Sequence, residues 1–123
     1  MGGVQPAAEV ILYNHDLSTN AVGVFDSGSA FTVFSPEHAA LIGIDDVTVG
    51  NAQRISTLGG GLFDIYLFDL EIELRAAGIR FAGQIGFFAG RAPRNILGRS
   101  VIFASFEIGF HERGSQIYLR HEP

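Results

Sequence analysis

The stretch VGVFDSGSAFTVFSP, residues Val22 to Pro36, decides how the rest of the chain is read. Apolar residues lead up to Asp26, three small residues follow it, and Ala30–Phe34 is apolar again apart from one threonine. An ionised carboxylate is among the groups least often buried. An aspartate inside such a run therefore either reaches water through a turn or is held there for chemistry. Taken alone, Asp-Ser-Gly is an ordinary Asx-turn at a strand end. Its surroundings have to decide between the two.

Those surroundings are a chain of 123 residues, 47% apolar and 17% charged, which reads as one globular domain over 1–123 with its core across about residues 8–120. There is no cysteine, which excludes disulfides and thiolate metal sites. A net charge of −5 argues against nucleic acid as a partner, since tracking phosphates needs clustered Lys and Arg. No apolar run approaches the roughly 20 residues that span a bilayer. The start, MGGVQPAAEV, shows no basic region leading into an apolar stretch, and Pro6 stands where a myristoylation pattern needs Ser or Thr. The compartment stays open between the cytoplasm and, were a leader or anchor removed, an extracytoplasmic space. Sixteen glycines and eleven phenylalanines favour short strands around an aromatic core. A mean hydropathy of +0.27 points to a further surface to hide, and a dimer interface is the simplest account.

Strands dominate the pattern. Glu9–Asn14 reads as a strand, 15–20 as a turn, and Ala21–Asp26 as a second strand. Ala30–Ser35 resumes extended structure, and SPEHAALIG predicts a helix with Ser35 as cap, Pro36 in the first turn and Gly43 as stop. Residues 45–53 read as a turn-rich connection. Phe68, Leu70, Ile72 and Leu74 alternate with Asp69, Glu71 and Glu73, the period of a half-buried strand with a solvated acidic face. Gly59–Gly61 forms the tip of a hairpin between this strand and one holding Ile55 and Leu58. Ala76–Gly78 turns into a strand over 79–88, 89–94 is a loop, and NILG, 95–98, is a brief strand. One or two helical turns fit 99–105, and a last hairpin turns around Glu112–Ser115.

FDSGSA resembles the Asp-Thr/Ser-Gly-Ala/Ser signature of the aspartic proteases. An apolar strand enters it, FTVFSP leaves it, a Gly-rich hairpin follows, and NILGRSVIF comes near the end. This arrangement, from about Val22 to Leu119, is similar to that of the retropepsin-like family, a mostly-β barrel with a flap hairpin and one or two short helices. The resemblance implies an aspartic endopeptidase without a cofactor. In that family two aspartates share one site and one proton, and here only Asp26 is followed by Ser-Gly. The second carboxylate then comes from another copy of Asp26, and the chain works as a homodimer on a protein or peptide substrate.

The same resemblance assigns roles to the neighbours. Ser27 hydrogen-bonds across the dimer beneath the catalytic pair, and Gly28 brings a backbone amide close to the carboxylate. Ser29, where many retroviral members have Ala, donates to the outer oxygen of Asp26 and favours its ionised form, moving activity towards acid relative to Ser29→Ala. Leu58, Gly59, Gly60, Gly61 and Leu62 form a flap over the substrate. Gly98 and Arg99 are structural, but the acid that pairs with this arginine in retroviral relatives is replaced by Ala30, leaving Asp45, Asp46 or a backbone carbonyl as its partner. His15, His38, His111 and His121 lack metal-site spacing and read as surface residues. Phe63, Phe87, Phe88 and Phe103 read as core. The rival from another class is a dimeric peptide-binding module of the same fold without turnover.

Overall fold

The computed structural model describes residues 6–56, 61–92 and 94–102. Seven strands run in the order β1 (Ala7–Asn14), β2 (Leu17–Phe25), β3 (Thr32–Phe34), β4 (Asn51–Ser56), β5 (Leu62–Leu74), β6 (Ile79–Phe88) and β7 (Ile96–Leu97). Helix α1 (Pro36–Leu41) and a 3-10 turn (Val47–Val49) interrupt them, and residues 99–102 are helical. Among the described residues no helix is long and apolar enough to cross a membrane.

Neighbouring strands follow the order β1-β2-β7-β3-β6-β5-β4, and β1 also pairs with β5. That extra pairing, Val10↔Leu74 through Tyr13↔Glu71, closes six strands into a barrel and leaves β4 outside as the second arm of a hairpin with β5. The alternation read in 68–74 is present: Leu70, Ile72 and Leu74 are buried while Asp69 and Glu71 are exposed. The strand begins earlier than the pattern suggested, at Leu62.

Two buried clusters lie on opposite faces of the sheet, so that the strand neighbours Val33 and Phe34, Phe87 and Phe88, and Ile96 and Leu97 divide between them. The larger gathers Val10, Leu12, Phe34, Ile42, Ile72, Ile85, Phe87 and Leu97. The smaller joins Val33, Ile65, Leu67, Phe88 and Ile96, with Phe31, Ile55 and Phe63 packed against it. Phe63 meets Phe88 edge to face at 5.4 Å, a geometry aromatic quadrupoles favour. Phe87 and Phe88 are core as expected, whereas Phe63 is half-buried.

Three local expectations need correction. The first turn is not 15–20 but two residues, His15 and Asp16. His15 takes φ 57°, and Ser18, Thr19 and Asn20 already belong to β2. Ser35 occupies the helix N-cap position without a side-chain cap bond. Gly43 does stop the helix, with φ 87° and paired bonds from Gly43 N–H to the Ala40 carbonyl and Ile44 N–H to the Ala39 carbonyl, the two bonds of a Schellman motif. Within 45–53 the chain is more ordered than a bare connection, because Asp46 caps Val47–Val49 through Thr48 and β4 starts at Asn51. The hairpin around Glu112–Ser115, Phe103, His111 and His121 lie outside the described residues.

Candidate active site

Strand β2 delivers Asp26, and β3 begins six residues later. The loop between them is held from below. Asp26 N–H donates to the Leu97 carbonyl at 2.9 Å, and Ser29 N–H donates back to the Asp26 carbonyl at 3.0 Å. Asp26 as a residue is half-buried, and its Oδ1 accepts from Gly28 N–H at 2.9 Å. This is the Asx-turn geometry the sequence allowed, and it fixes the direction of the side chain. Ser27 and Gly28 are exposed at the loop's apex.

Ser29 behaves differently from the expectation. Its hydroxyl donates to the Phe31 carbonyl at 2.7 Å and accepts from Phe31 N–H at 3.3 Å. The hydroxyl is therefore spent on the loop's own backbone, not on the outer oxygen of Asp26.

Gly98 and Arg99 form the floor. Gly98 N–H donates to the hydroxyl of Thr32, a fully buried residue, at 2.9 Å. Arg99 N–H donates to the Ser29 carbonyl at 2.8 Å, and its guanidinium Nη1 donates to the Ser27 carbonyl at 3.3 Å. Of the partners left open for Arg99, the backbone carbonyl is the one found. A charged donor on a carbonyl orders the loop much as an ion pair would, without placing a second acid beside Asp26.

The structure thus brings Asp26, Ser27, Gly28, Ser29, Gly98 and Arg99 together. Gly61 and Leu62 lie at the start of β5, on the β4–β5 hairpin, and Leu62 is 69% exposed. Leu58, Gly59 and Gly60 lie outside the described residues. The hairpin and the Asp26 loop share the smaller cluster, against which Ile55 and Phe63 from the hairpin and Phe31 from the loop all pack.

Two supporting residues escaped the sequence reading. Thr32 is one, a lone hydroxyl inside the apolar run FTVF, and that isolation was a usable signal. Asn95 is the other, whose side chain accepts from Ser35 N–H and donates to the Val22 carbonyl, both at 2.9 Å. Nothing in its immediate sequence marks those distant partners. His38, read as a surface residue, is half-buried: its ring stands edge-on to Phe34 at 6.1 Å, and burial pushes its pKa below the ordinary histidine value.

No family model and no curated protein matches the sequence. Solved structures do. The EIAV protease complexed with the inhibitor HBY-793 superimposes with a TM-score of 0.53 at 17% identity, covering 94% of this chain and 94% of that one. A retropepsin-like aspartic protease from Rickettsia conorii gives a TM-score of 0.56 at 13% identity over 83% of this chain and 88% of that one. With the six-strand closure, the hairpin outside it and the Asp-Ser-Gly loop resting on Gly-Arg, these matches establish that the chain has the fold of the retropepsin-like aspartic proteases.

Proposed function

We propose that the chain is an aspartic endopeptidase that acts as a homodimer, with one Asp26 from each copy. The observation that carries this reading is the state of Asp26. Asp26 stands at the head of a loop clamped by Leu97, Gly98 and Arg99, its carboxylate held by Gly28 N–H and, among the described residues, by no cation. A loop tied down at this many points holds one acid in a fixed direction, and such a preorganised carboxylate suits chemistry better than a plain turn does.

In the dimer, two carboxyl groups about 3 Å apart cannot both ionise, so they hold one proton between them. The charged member takes a proton from a water as that water attacks the peptide carbonyl. The protonated member donates a hydrogen bond to the carbonyl oxygen and then the proton itself. The proton taken from water passes to the departing amine as the C–N bond of the tetrahedral gem-diol breaks, one hydroxyl proton of the gem-diol returns to the dyad, and no covalent enzyme intermediate forms. Substrate lies extended beneath the β4–β5 hairpin, whose backbone around Gly59–Gly61 bonds it as an added strand. In this reading Ser27, exposed beside Asp26, hydrogen-bonds its counterpart across the two-fold axis.

Cleavage of a mixed peptide library at mildly acidic pH tests the reading, with wild type and Asp26→Asn compared, each with and without a pepstatin-type inhibitor. The expected result is inhibitor-sensitive cleavage that Asp26→Asn abolishes while its melting temperature holds. Cleavage that survives in Asp26→Asn overturns the proposal. Peptide binding by both forms with no turnover favours the binding module instead.

A further inference from the structure

Asn95 stands where the segments that frame the Asp26 loop converge. Its Nδ2 donates to the Val22 carbonyl and its own carbonyl accepts from Val24 N–H at 3.0 Å, both on the strand entering the loop. Its Oδ1 accepts from Ser35 N–H, directly after the strand leaving the loop. Two residues further, the Leu97 carbonyl takes Asp26 N–H. One side chain therefore ties the loop's entry to its exit.

The same Asn95 Nδ2 stands 3.4 Å from His38 Nε2, within reach of its second amide hydrogen. Ser35 N–H can only donate and the Val22 carbonyl can only accept, so these partners settle which end of the amide is which. Nε2 must then accept, and the neutral ring carries its hydrogen on Nδ1. Nδ1 is buried and has no hydrogen-bond partner among the described residues. A second proton on this ring has to go to Nε2, where it faces the amide hydrogen of Asn95, donor against donor.

We infer that His38 and Asn95 form a proton-sensitive latch on the Asp26 loop, fastened while the imidazole is neutral and loosened when it takes up a proton. Its functional consequence rests on the endopeptidase reading, but the latch itself does not. Glu37, beside His38 on α1, favours the charged ring, and burial opposes it more strongly. The strands β2, β3 and β7 carry no titratable side chain. On β6 the one charge is Arg80, held by Glu71 and stacked on Tyr13, and Arg91 and Arg94 lie on the loop before Asn95. With the folded pKa below the unfolded value of 6.5, the contribution to stability is complete above 6.5 and is lost as pH falls through the folded value.

NMR titration of the full chain, with amide exchange and melting curves, tests this in wild type, His38→Gln and Asn95→Ala. Glutamine keeps an acceptor for Asn95 without titrating. The expected results are a His38 midpoint below 6.5 with the Nδ1–H tautomer above it, and a rise of that midpoint in Asn95→Ala. Below the midpoint, the Asp26 and Ser29 amides should exchange several-fold faster in wild type than in His38→Gln, and wild type should lose more melting temperature. A midpoint at or above 6.5, an Nε2–H tautomer, or equal acid loss in His38→Gln overturns the latch. None of these readouts needs a substrate, so they stand or fall separately from the cleavage assay on Asp26→Asn.

Discussion

A β-carbon on Gly98 would stand 2.7 Å from the carbonyl oxygen of Ser29. The atoms in its way are backbone, in the same loop that presents Asp26, so they cannot swing aside like a side-chain end. Gly98→Ala is expected to destabilise the chain by about 2 kcal/mol or more, as overpacking of a filled interior does. Peptide cleavage should fall further than stability explains, because the loop must shift to admit the methyl. Urea melts combined with turnover at a temperature where both forms remain folded check this.

Thr32→Val keeps the shape and removes the acceptor for Gly98 N–H at a fully buried position. An unsatisfied buried donor costs about 1–3 kcal/mol. Thr32→Ser keeps the hydroxyl and should recover most of that loss. Equal stability of the valine and threonine forms in denaturant titration would count against the assigned bond.

Ser29→Ala removes a hydroxyl that serves Phe31. The expected loss is about 1 kcal/mol of stability, with a pH–rate profile that superimposes on wild type. A displaced profile would mean that the hydroxyl turns to Asp26 in the working enzyme.

Arg54 and Asp64 pair across the hairpin at 3.0 Å, with side chains 67% and 53% exposed. Exposed pairs of this kind contribute about 0–1 kcal/mol. Replacing either with Ala should leave the melting temperature within about 4 °C. A larger drop would show the pair to be shielded from solvent.

Much of this architecture is legible in the sequence where one face of an element repeats. The alternation from Phe68 to Leu74 gives a strand and its inward face, and Pro36 with Gly43 brackets the helix. Legibility fails where a distant partner overrides local preference. Ser18, Thr19 and Asn20 look like turn residues, yet they pair with Tyr13, Leu12 and Ile11, and the strand runs through them. Their polar side chains are tolerated because Ser18 and Asn20 face outward. The barrel's closure by β1 on β5 leaves no mark on either strand alone. At the site, Asp26, Gly28, Gly98 and Arg99 stand out through a motif and its spacing. The direction of the Ser29 hydroxyl and the reach of Asn95 depend on atoms some residues away to more than seventy, and only the folded chain reveals them.

Closing six strands on themselves satisfies their edges, but it leaves β4 with β5 as its single neighbour among the described strands. Among the described residues its outer row of backbone donors and acceptors meets no strand, and such a row is a hazard for self-association. Asn51, Gln53, Arg54 and Ser56 line this border with polar groups. Polar side chains of this kind hold stray strands off, so the colloidal behaviour of the chain draws on this short strand.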